Sequence, residues 1–147
     1  MGATNGANGT DGFDRLQLTG TEGLLRNDTL VIRLGETVTV GRSRSCDFSM
    51  RRSKRFLTAS EEEQRRILDE RSFNKVSRQH ARISFLARGQ VEICDLSRNG
   101  TFLDDVRVLD RKLLQDLDGL GVEIRLADTE RMRLRPMMTK SEATADA

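Results

Sequence analysis

Short apolar runs that alternate with polar residues recur along the chain, and they constrain its fold more than any other feature. Seven runs share this period of two: Leu16 and Leu18; Leu30 and Ile32; Val38 and Val40; Ile83 and Phe85; Val91 and Ile93; Val122, Ile124 and Leu126; and Met132 and Leu134. Successive side chains of a strand point to opposite faces, so this pattern is typical of half-buried β-strands. Turn residues separate the runs, at Gly35-Glu36, Gly89, Asn99-Gly100, Gly119, Gly121 and Asp128. The pattern predicts an all-β fold, a two-sheet antiparallel β-sandwich.

One segment, at about 51–75, departs from the alternation, and we expect a short helical insertion there. Residues 58–71 are predicted to form a helix, because Ser60 and Glu63 have capping-box spacing and three glutamates follow the cap. The apolar side chains available to this helix are few: Leu57, Ile67, Leu68 and Phe73. We therefore expect the insertion to pack lightly on the rim of the sandwich.

Length and composition favour a single folded domain. The 147 residues are 36% hydrophobic and 33% charged, which suits a soluble globular protein with a modest core. Residues 1–12 and 137–147 are polar, so we predict disordered tails around a domain at 13–136. Cys46 and Cys94 lack the spacing of a metal or redox motif, and we expect buried, reduced thiols.

The distribution of charge is more informative than its sum. A net charge of +2 is too small to argue for nucleic acid as a partner. Residues 41–82, however, hold twelve Lys or Arg and six Asp or Glu, against thirteen and seventeen in the rest of the chain. An anionic ligand is favoured for that segment. The basic run at 51–55 lacks aromatic residues to stack on bases, so a solvated loop is favoured over a nucleic-acid patch.

The chain shows neither a recognisable signal peptide nor an apolar run long enough to span a membrane. The cytoplasm is therefore the expected location, and no membrane partner is expected. No cluster of residues has the spacing of a metal site, and we expect no cofactor.

Two short polar clusters carry groups that suit a phosphate. Gly41-Arg42 follows a predicted strand, and the planar guanidinium fork matches two phosphate oxygens at once. A solvated surface arginine is the alternative interpretation of that pair. In the second cluster, at 76–80, the Ser77 hydroxyl and the Arg78 guanidinium can donate jointly to one phosphate group.

Two further residues allow alternative interpretations. In a third cluster, at 99–101, Asn99-Gly100 is a turn signal, but the Asn99 amide also has a donor and an acceptor that can hold a peptide backbone. His80 is the only histidine, and it is either a buried residue that bonds neighbouring backbone or a catalytic or metal-binding group. No nucleophile or acidic partner for it is identifiable from spacing, so an enzyme is the least expected class.

Taken in order, these clusters resemble the forkhead-associated (FHA) domain, a sandwich of FHA/SMAD type that binds phosphothreonine peptides. The resemblance runs from about Leu16 to Leu134 and rests on Gly-Arg, Ser-x-x-His and Asn-Gly with strands between them. The stretch 95–102, Asp-Leu-Ser-Arg-Asn-Gly-Thr-Phe, extends it, as do residues 117–126.

The resemblance implies a role for each matching position. Arg42 and Ser77 would contact the phosphate, and Arg78 would assist them. The full phosphopeptide-binding set that it implies is Arg42, Ser77, Arg78, Arg98, Asn99 and Lys75. The residues that it implies to be architectural are Gly41, His80 and Gly100.

The remaining binding residues would contact the peptide on either side of the phosphate. Asn99 would hold the backbone of the bound peptide, and Arg98 would contribute mainly main-chain contacts. Lys75 lies near the position where the family reads the third residue after the phosphothreonine, which suggests that an acidic residue is tolerated there.

Partners follow from the same resemblance. We expect phosphothreonine-containing proteins or peptides, produced by an upstream Ser/Thr protein kinase, and no catalytic activity. The chain's own tails are a further source, since phosphorylated tail threonines would be able to occupy the site in cis. The alternative is a phosphate-independent scaffold that uses the same sandwich to join subunits of an assembly.

Two departures from the family pattern affect the site and its surroundings. The connection from the Gly-Arg strand to Ser77 is longer than the family norm, and the helical insertion fills it. The insertion would therefore either add specificity or partly cover the site. Where the family often has Asn-Gly after the Thr-Phe strand, this chain has Asp104-Asp105.

Overall fold

The computed structural model describes residues 13–115 and 117–137, which form two β-sheets with helices in one connection. In chain order the strands are β1 (Arg15–Glu22), β2 (Thr29–Arg33), β3 (Thr37–Gly41), β4 (Phe48–Ser49), β5 (Ala81–Ala87), β6 (Gln90–Asp95), β7 (Thr101–Leu103), β8 (Val106–Arg107), β9 (Arg111–Leu114), β10 (Val122–Leu126) and β11 (Glu130–Pro136). The helices α1 (Lys54–Thr58), α2 (Glu61–Asp69) and α3 (Arg71–Lys75) lie between β4 and β5. The predicted β-sandwich with a helical insertion is confirmed.

The strands are arranged in one six-stranded and one five-stranded sheet. The first has the order β2-β1-β11-β10-β7-β8, and the second has the order β4-β3-β5-β6-β9. The pairs are antiparallel except for the short parallel pair of β3 and β4. Because β3 runs antiparallel to β5, and β5 to β6, the end of β3, the start of β5 and the end of β6 meet at one end of the sheet.

The residues whose alternation predicted the strands also form the core. In the seven runs every residue is buried except Leu30, which is half-buried and lies near the start of the edge strand β2. The largest side chains that are fully buried come from both sheets and include Leu16, Leu18, Ile83, Phe85, Ile93, Ile124 and Leu134. Burial of such apolar side chains stabilises the folded state by about 1.5 to 3 kcal/mol each.

The insertion is three short helices, so the predicted single helix over 58–71 is wrong in its extent. The breaks occur at residues with extended backbone, Ala59 between α1 and α2 and Glu70 between α2 and α3. The predicted cap is present, since the Ser60 hydroxyl accepts a hydrogen bond of 3.1 Å from the Glu63 N–H. A local cap thus starts α2, but an extended residue ends it after nine residues.

The helices pack on the core through few side chains. Phe73 is buried in the core, Ile67 packs partly against it, and no residue of α2 is fully buried. Leu57 was expected on the apolar side, but it is 61% exposed, while its neighbour Phe56 is buried. Adjacent residues of a helix point about 100° apart, so only one of this pair can face inward.

The β7–β8 hairpin closes at Asp104-Asp105, the pair that stands where the family often has Asn-Gly. Both aspartates have positive φ, 46° and 68°, which is the left-handed region that Asp tolerates better than most residues. The Asp104 side chain accepts a hydrogen bond of 3.0 Å from the Glu123 N–H on β10, which anchors the turn.

Several other expectations bear on the same residues. Cys46 and Cys94 are buried free thiols, as predicted. In residues 13–115 and 117–137, no helix is long and apolar enough to cross a membrane. The predicted tails at 1–12 and 137–147 lie outside the described residues, apart from Met137.

Candidate anion-binding site

An open groove of about 510 Å³ lies where β3, β5 and β6 meet. It is lined by Arg42, Asn74, Lys75, Ser77, Arg78, Gln79, Arg98 and Asn99. All six residues predicted to bind a phosphopeptide are among them, although they are spread from position 42 to position 99. Antiparallel pairing of the strands brings the three sequence clusters together.

Backbone hydrogen bonds join the first cluster to the second. The Arg42 N–H donates to the Ser77 carbonyl at 3.2 Å, and the Ser43 N–H donates to the Arg78 carbonyl at 3.1 Å. The close approach requires glycine at position 41, because a Cβ there would lie 2.2 Å from the Arg78 carbonyl oxygen. Gly41 thus allows the two loops to contact each other directly.

His80 connects the second cluster to the third through both ring nitrogens. The Ser77 N–H donates to Nδ1 at 3.0 Å, so the proton is on Nε2, which donates to the Gly100 carbonyl at 2.8 Å. The side chain is fully buried, and this burial lowers its pKa and favours the neutral ring. The imidazole therefore joins the Ser77 N–H to the Gly100 carbonyl, which also accepts a hydrogen bond of 2.9 Å from the Ala127 N–H.

The Asp95 carboxylate organises the third cluster. One of its oxygens accepts hydrogen bonds from the Ser97 hydroxyl at 2.6 Å and the Thr101 hydroxyl at 2.8 Å. The Ser97 hydroxyl in turn accepts from the Gly100 N–H at 2.8 Å, and Gly100 has a φ of 100°. The tight turn that results carries residues 98–99 at the groove.

Two side chains tie this turn to the rest of the groove. The Arg98 N–H donates to the Ser77 hydroxyl at 3.1 Å, and the Asn99 amide donates to the Lys75 carbonyl at 2.8 Å. A hydroxyl that accepts one hydrogen bond still has its own proton to donate. The Asn99 amide likewise has a carbonyl oxygen and a second N–H for a ligand.

The groove is strongly cationic. Burial, and then the nearby Arg78 guanidinium, lower the pKa of Arg42, which nevertheless stays charged because an arginine pKa is far above neutral pH. Among the described residues, no carboxylate oxygen lies within the 4.0 Å ion-pair distance of Arg42, Arg78 or Arg98. The Arg42 Nε donates to the Val76 carbonyl at 2.6 Å, which orients the guanidinium and leaves its two terminal nitrogens for a ligand.

Lys75 differs from these arginines because it already has an anionic partner. Its ammonium lies 2.9 Å from a carboxylate oxygen of Asp128, and this contact lowers the pKa of Asp128. Both side chains are about half exposed. A ligand carboxylate at this position would compete with Asp128 for Lys75.

Asn74 and Gln79 line the groove but were not predicted to do so. The Asn74 amide donates to the carbonyls of Leu68 at 2.8 Å and Glu70 at 2.9 Å, which holds the end of α2 against α3. Its position depends on the break between those helices, for which the sequence offered no signal. Gln79 belongs to the second cluster, but the sequence assigned no binding role to it.

The contacts of the groove do not form a nucleophile-base pair. The Ser77 hydroxyl is bonded to the Arg98 N–H, while the imidazole accepts from the Ser77 main-chain N–H. Within the described ranges, no three or more His, Cys, Asp or Glu side chains are grouped so that they could hold a metal ion. The groups present suit the binding of an anion by hydrogen bonds and charge.

Comparisons with known proteins agree with the fold described above. A family model described as the FHA domain matches residues 38–122. A search of curated protein sequences found no match. The fold is similar to that of an FHA domain from Chlamydia trachomatis, with 21% identity, a TM-score of 0.59, and coverage of 84% of this chain and 99% of that one.

Two further solved structures have the same fold. An FHA domain from Arabidopsis thaliana is 22% identical, with a TM-score of 0.59, and the match covers 90% of this chain and 92% of that one. The yeast Dun1 FHA domain, solved with a doubly phosphorylated (pT) peptide, is 21% identical with a TM-score of 0.53. That match covers 84% of this chain and 74% of the Dun1 chain.

Proposed function

This chain belongs to the forkhead-associated family, and we propose that it is a non-catalytic module that binds phosphothreonine peptides. In this role it docks proteins to one another after a Ser/Thr kinase has acted. The observation that carries the proposal is the convergence of Arg42, Ser77 and Arg78 on one open groove in which no described carboxylate neutralises the arginines.

The chemistry of the ligand matches these donors. A phosphothreonine carries nearly two negative charges at neutral pH and three acceptor oxygens. The terminal nitrogens of Arg42 and the Ser77 hydroxyl supply donors for them, and Arg78 adds a second cation. Each charge-assisted hydrogen bond contributes roughly 1.5 to 3 kcal/mol, so the arginines dominate the binding energy.

The rest of the groove suits the peptide on either side of the phosphate. Asn99 is held by the Lys75 carbonyl and offers an acceptor and a donor to the peptide backbone. Arg98 contributes main-chain groups from the same turn. An acidic residue at the third position after the phosphothreonine would replace Asp128 as the partner of Lys75.

The Dun1 relative supports the proposal by analogy, since its FHA domain is seen with a doubly phosphorylated (pT) peptide. The analogy concerns the kind of ligand. It leaves the sequence around the phosphothreonine to be determined by experiment on this chain.

The test is a screen of a degenerate phosphothreonine peptide library, followed by titration of the selected peptides. We expect binding that is lost when the peptide is dephosphorylated and that falls at least 100-fold in Arg42→Ala and at least tenfold in Ser77→Ala. The matched control is Arg82→Ala, which removes the same charge from an exposed position on β5 outside the groove.

Two results would overturn the proposal. One is the absence of any phosphopeptide whose binding depends on Arg42. The other is a partner that binds without phosphate and equally well to Arg42→Ala and Ser77→Ala, which would favour the scaffold alternative.

A further inference from the structure

A second groove, also of about 510 Å³, lies between β8 and β9, and it has no lining residue in common with the anion-binding groove. The residues that line it are mainly apolar. Among them Leu103, Val108 and Val122 are buried, and Leu114 is half-buried. Charged residues of the two strands surround it. The groove therefore has the composition of an interaction surface, not of a phosphate site.

Large apolar side chains at this groove are exposed to an unusual degree. Val106 is 70% exposed and Leu109 is 81% exposed, and both line the groove. Leu113, on the neighbouring strand, is 40% exposed. Scattered exposed apolar residues are ordinary, but here three lie within eight positions beside an apolar groove. Covering them would remove apolar surface from water.

The two strands beside the groove are edge strands. Among the described strands, β8 has β7 as its only neighbour, and β9 has β6 as its only neighbour. An edge strand presents unpaired N–H and C=O groups, to which an extended peptide can add as a further strand. With four residues, Arg111–Leu114, β9 offers the longer template of the two.

The charged residues around the groove indicate what kind of segment can bind there. The lining includes three cations, Arg107, Arg111 and Lys112, against the single carboxylate of Asp104. The ion pair of Arg111 with Glu92 is long, at 3.8 Å, and the arginine side chain is 67% exposed. These cations suit an acidic segment, and they disfavour a second copy of the chain, since pairing of β9 with β9 would bring like charges together.

The chain's own tails do not fit the groove. Residues 1–12 and 138–147 contain no Val, Ile, Leu or Phe, so they have no branched or aromatic side chain to fill it. Residues 1–12 and 138–147 are therefore poor candidates for the occupant.

We propose that this groove binds an extended segment of a partner protein, in which apolar residues alternate with acidic ones, as a strand added to β9. The alternation follows from strand geometry, because one face of the added strand meets the apolar groove while the other faces solvent. The interaction does not depend on phosphate. It would let the molecule hold a second partner while the anion-binding groove is occupied.

The experiment is a phage-display selection of random decapeptides on the full chain, followed by fluorescence-anisotropy titration of the enriched peptides. We expect enrichment of sequences that alternate Val, Ile, Leu or Phe with Asp or Glu. Their affinity should fall at least tenfold in Leu109→Asp and three- to fivefold in Arg111→Glu, because Arg111 lies on the solvent-side face of β9. Because both residues are exposed, these substitutions should leave the fold intact, which circular dichroism would verify.

Two controls make the result specific to this surface. Leu57→Asp changes a comparably exposed leucine on α1 and should leave the affinity unchanged. Arg42→Ala should also leave it unchanged, which separates this proposal from the phosphate-dependent one. The proposal is overturned if no selected peptide loses affinity in Leu109→Asp. It is also overturned if the wild-type chain sediments as a dimer that Leu109→Asp dissociates, because the occupant would then be a second copy.

Discussion

In the anion-binding groove the binding side chains sit on loops that are hydrogen-bonded to one another, whereas the β8–β9 groove is lined largely by side chains of two edge strands. The first groove depends on polar residues beneath its surface, the buried His80 and the half-buried Asp95, which hydrogen-bond to residues of the loops. The second depends on apolar side chains such as Val106 and Leu109, which contact solvent.

This difference predicts how each groove responds to substitution. A buried polar network is destabilised as a whole when one member is removed, because its partners are left without hydrogen bonds. An exposed apolar side chain can be exchanged at little cost to the fold. The first groove should therefore be sensitive to changes at positions that never contact a ligand, and the second should not.

Gly41→Ala should have the largest effect. Its Cβ would meet the backbone of Arg78 at 2.2 Å, which forces apart the loops that carry Arg42 and Ser77. We expect the free energy of unfolding in urea to fall by about 3 kcal/mol or more, with loss of phosphopeptide binding. The control is Gly119→Ala, where a Cβ meets nothing within 4 Å, and a change of at most about 0.5 kcal/mol is expected. Equal stability of the two variants would contradict the account.

His80→Ala should come next. It leaves the Ser77 N–H without its acceptor and the Gly100 carbonyl with only the Ala127 N–H, and it opens a cavity between the loops. We expect a loss of about 2 to 4 kcal/mol in the free energy of unfolding. Leu109→Asp provides the contrast from the other groove, with a change of at most about 0.5 kcal/mol. If the two substitutions cost the same, the proposed difference between the grooves is wrong.

Arg42→Lys should affect binding but not folding. The substitution keeps the positive charge and removes the planar fork, so the phosphate loses a bidentate contact. We expect roughly tenfold weaker phosphopeptide binding, or about 1.4 kcal/mol, by isothermal titration calorimetry. Unchanged affinity would mean that Arg42 acts only as a point charge.

The pH dependence of stability should show the smallest effect. Because burial lowers the pKa of His80 in the folded state, the unfolded chain binds a proton more readily. The contribution of His80 to the free energy of unfolding is fully present above about pH 6.5. It falls as the pH drops from there towards the folded-state pKa, by at most about 1.4 kcal/mol per pH unit.

The measurement compares wild type with His80→Asn in urea at several pH values. Burial raises the pKa of Glu130, whose contribution has the opposite sign and is lost as the pH rises from about 4.5 through its folded-state pKa. The Glu130 contribution is the same in both proteins. The difference between their free energies of unfolding therefore reports the titration of His80 alone. A difference that stays constant from pH 7.5 to 5.5 would contradict the assigned state of the ring.

The strands and the family resemblance were predictable from the sequence for physical reasons. In a strand with one buried face, apolar residues alternate with polar ones, so the alternation predicts which side chains are buried. Among the residues predicted in this way, only Leu30, on an edge strand, is merely half-buried. The three clusters matched the family because each holds a residue that a close contact requires, such as the glycine at position 41 against the Arg78 backbone and the histidine at position 80 beside the Ser77 N–H. The family model that matches residues 38–122 confirms the resemblance.

Other features depend on tertiary contacts that no local pattern records. The pair of Lys75 and Asp128 joins residues 53 positions apart. Phe56 and Leu57 are adjacent and both apolar, and only the packing of α1 determines which of them is buried. The β8–β9 groove exists because two strands end up at the edges of their sheets, which is a property of topology.

The most direct test of the phosphate-dependent site is a titration of the ¹⁵N-labelled chain with a selected phosphothreonine peptide, followed by two-dimensional NMR. We expect shifts for the backbone amides at 42–43, 77–79 and 97–99, and none at 106–114. The unphosphorylated peptide should shift none of them. Shifts centred on the β8–β9 groove, or equal shifts with the unphosphorylated peptide, would contradict a phosphate-dependent site at Arg42, Ser77 and Arg78.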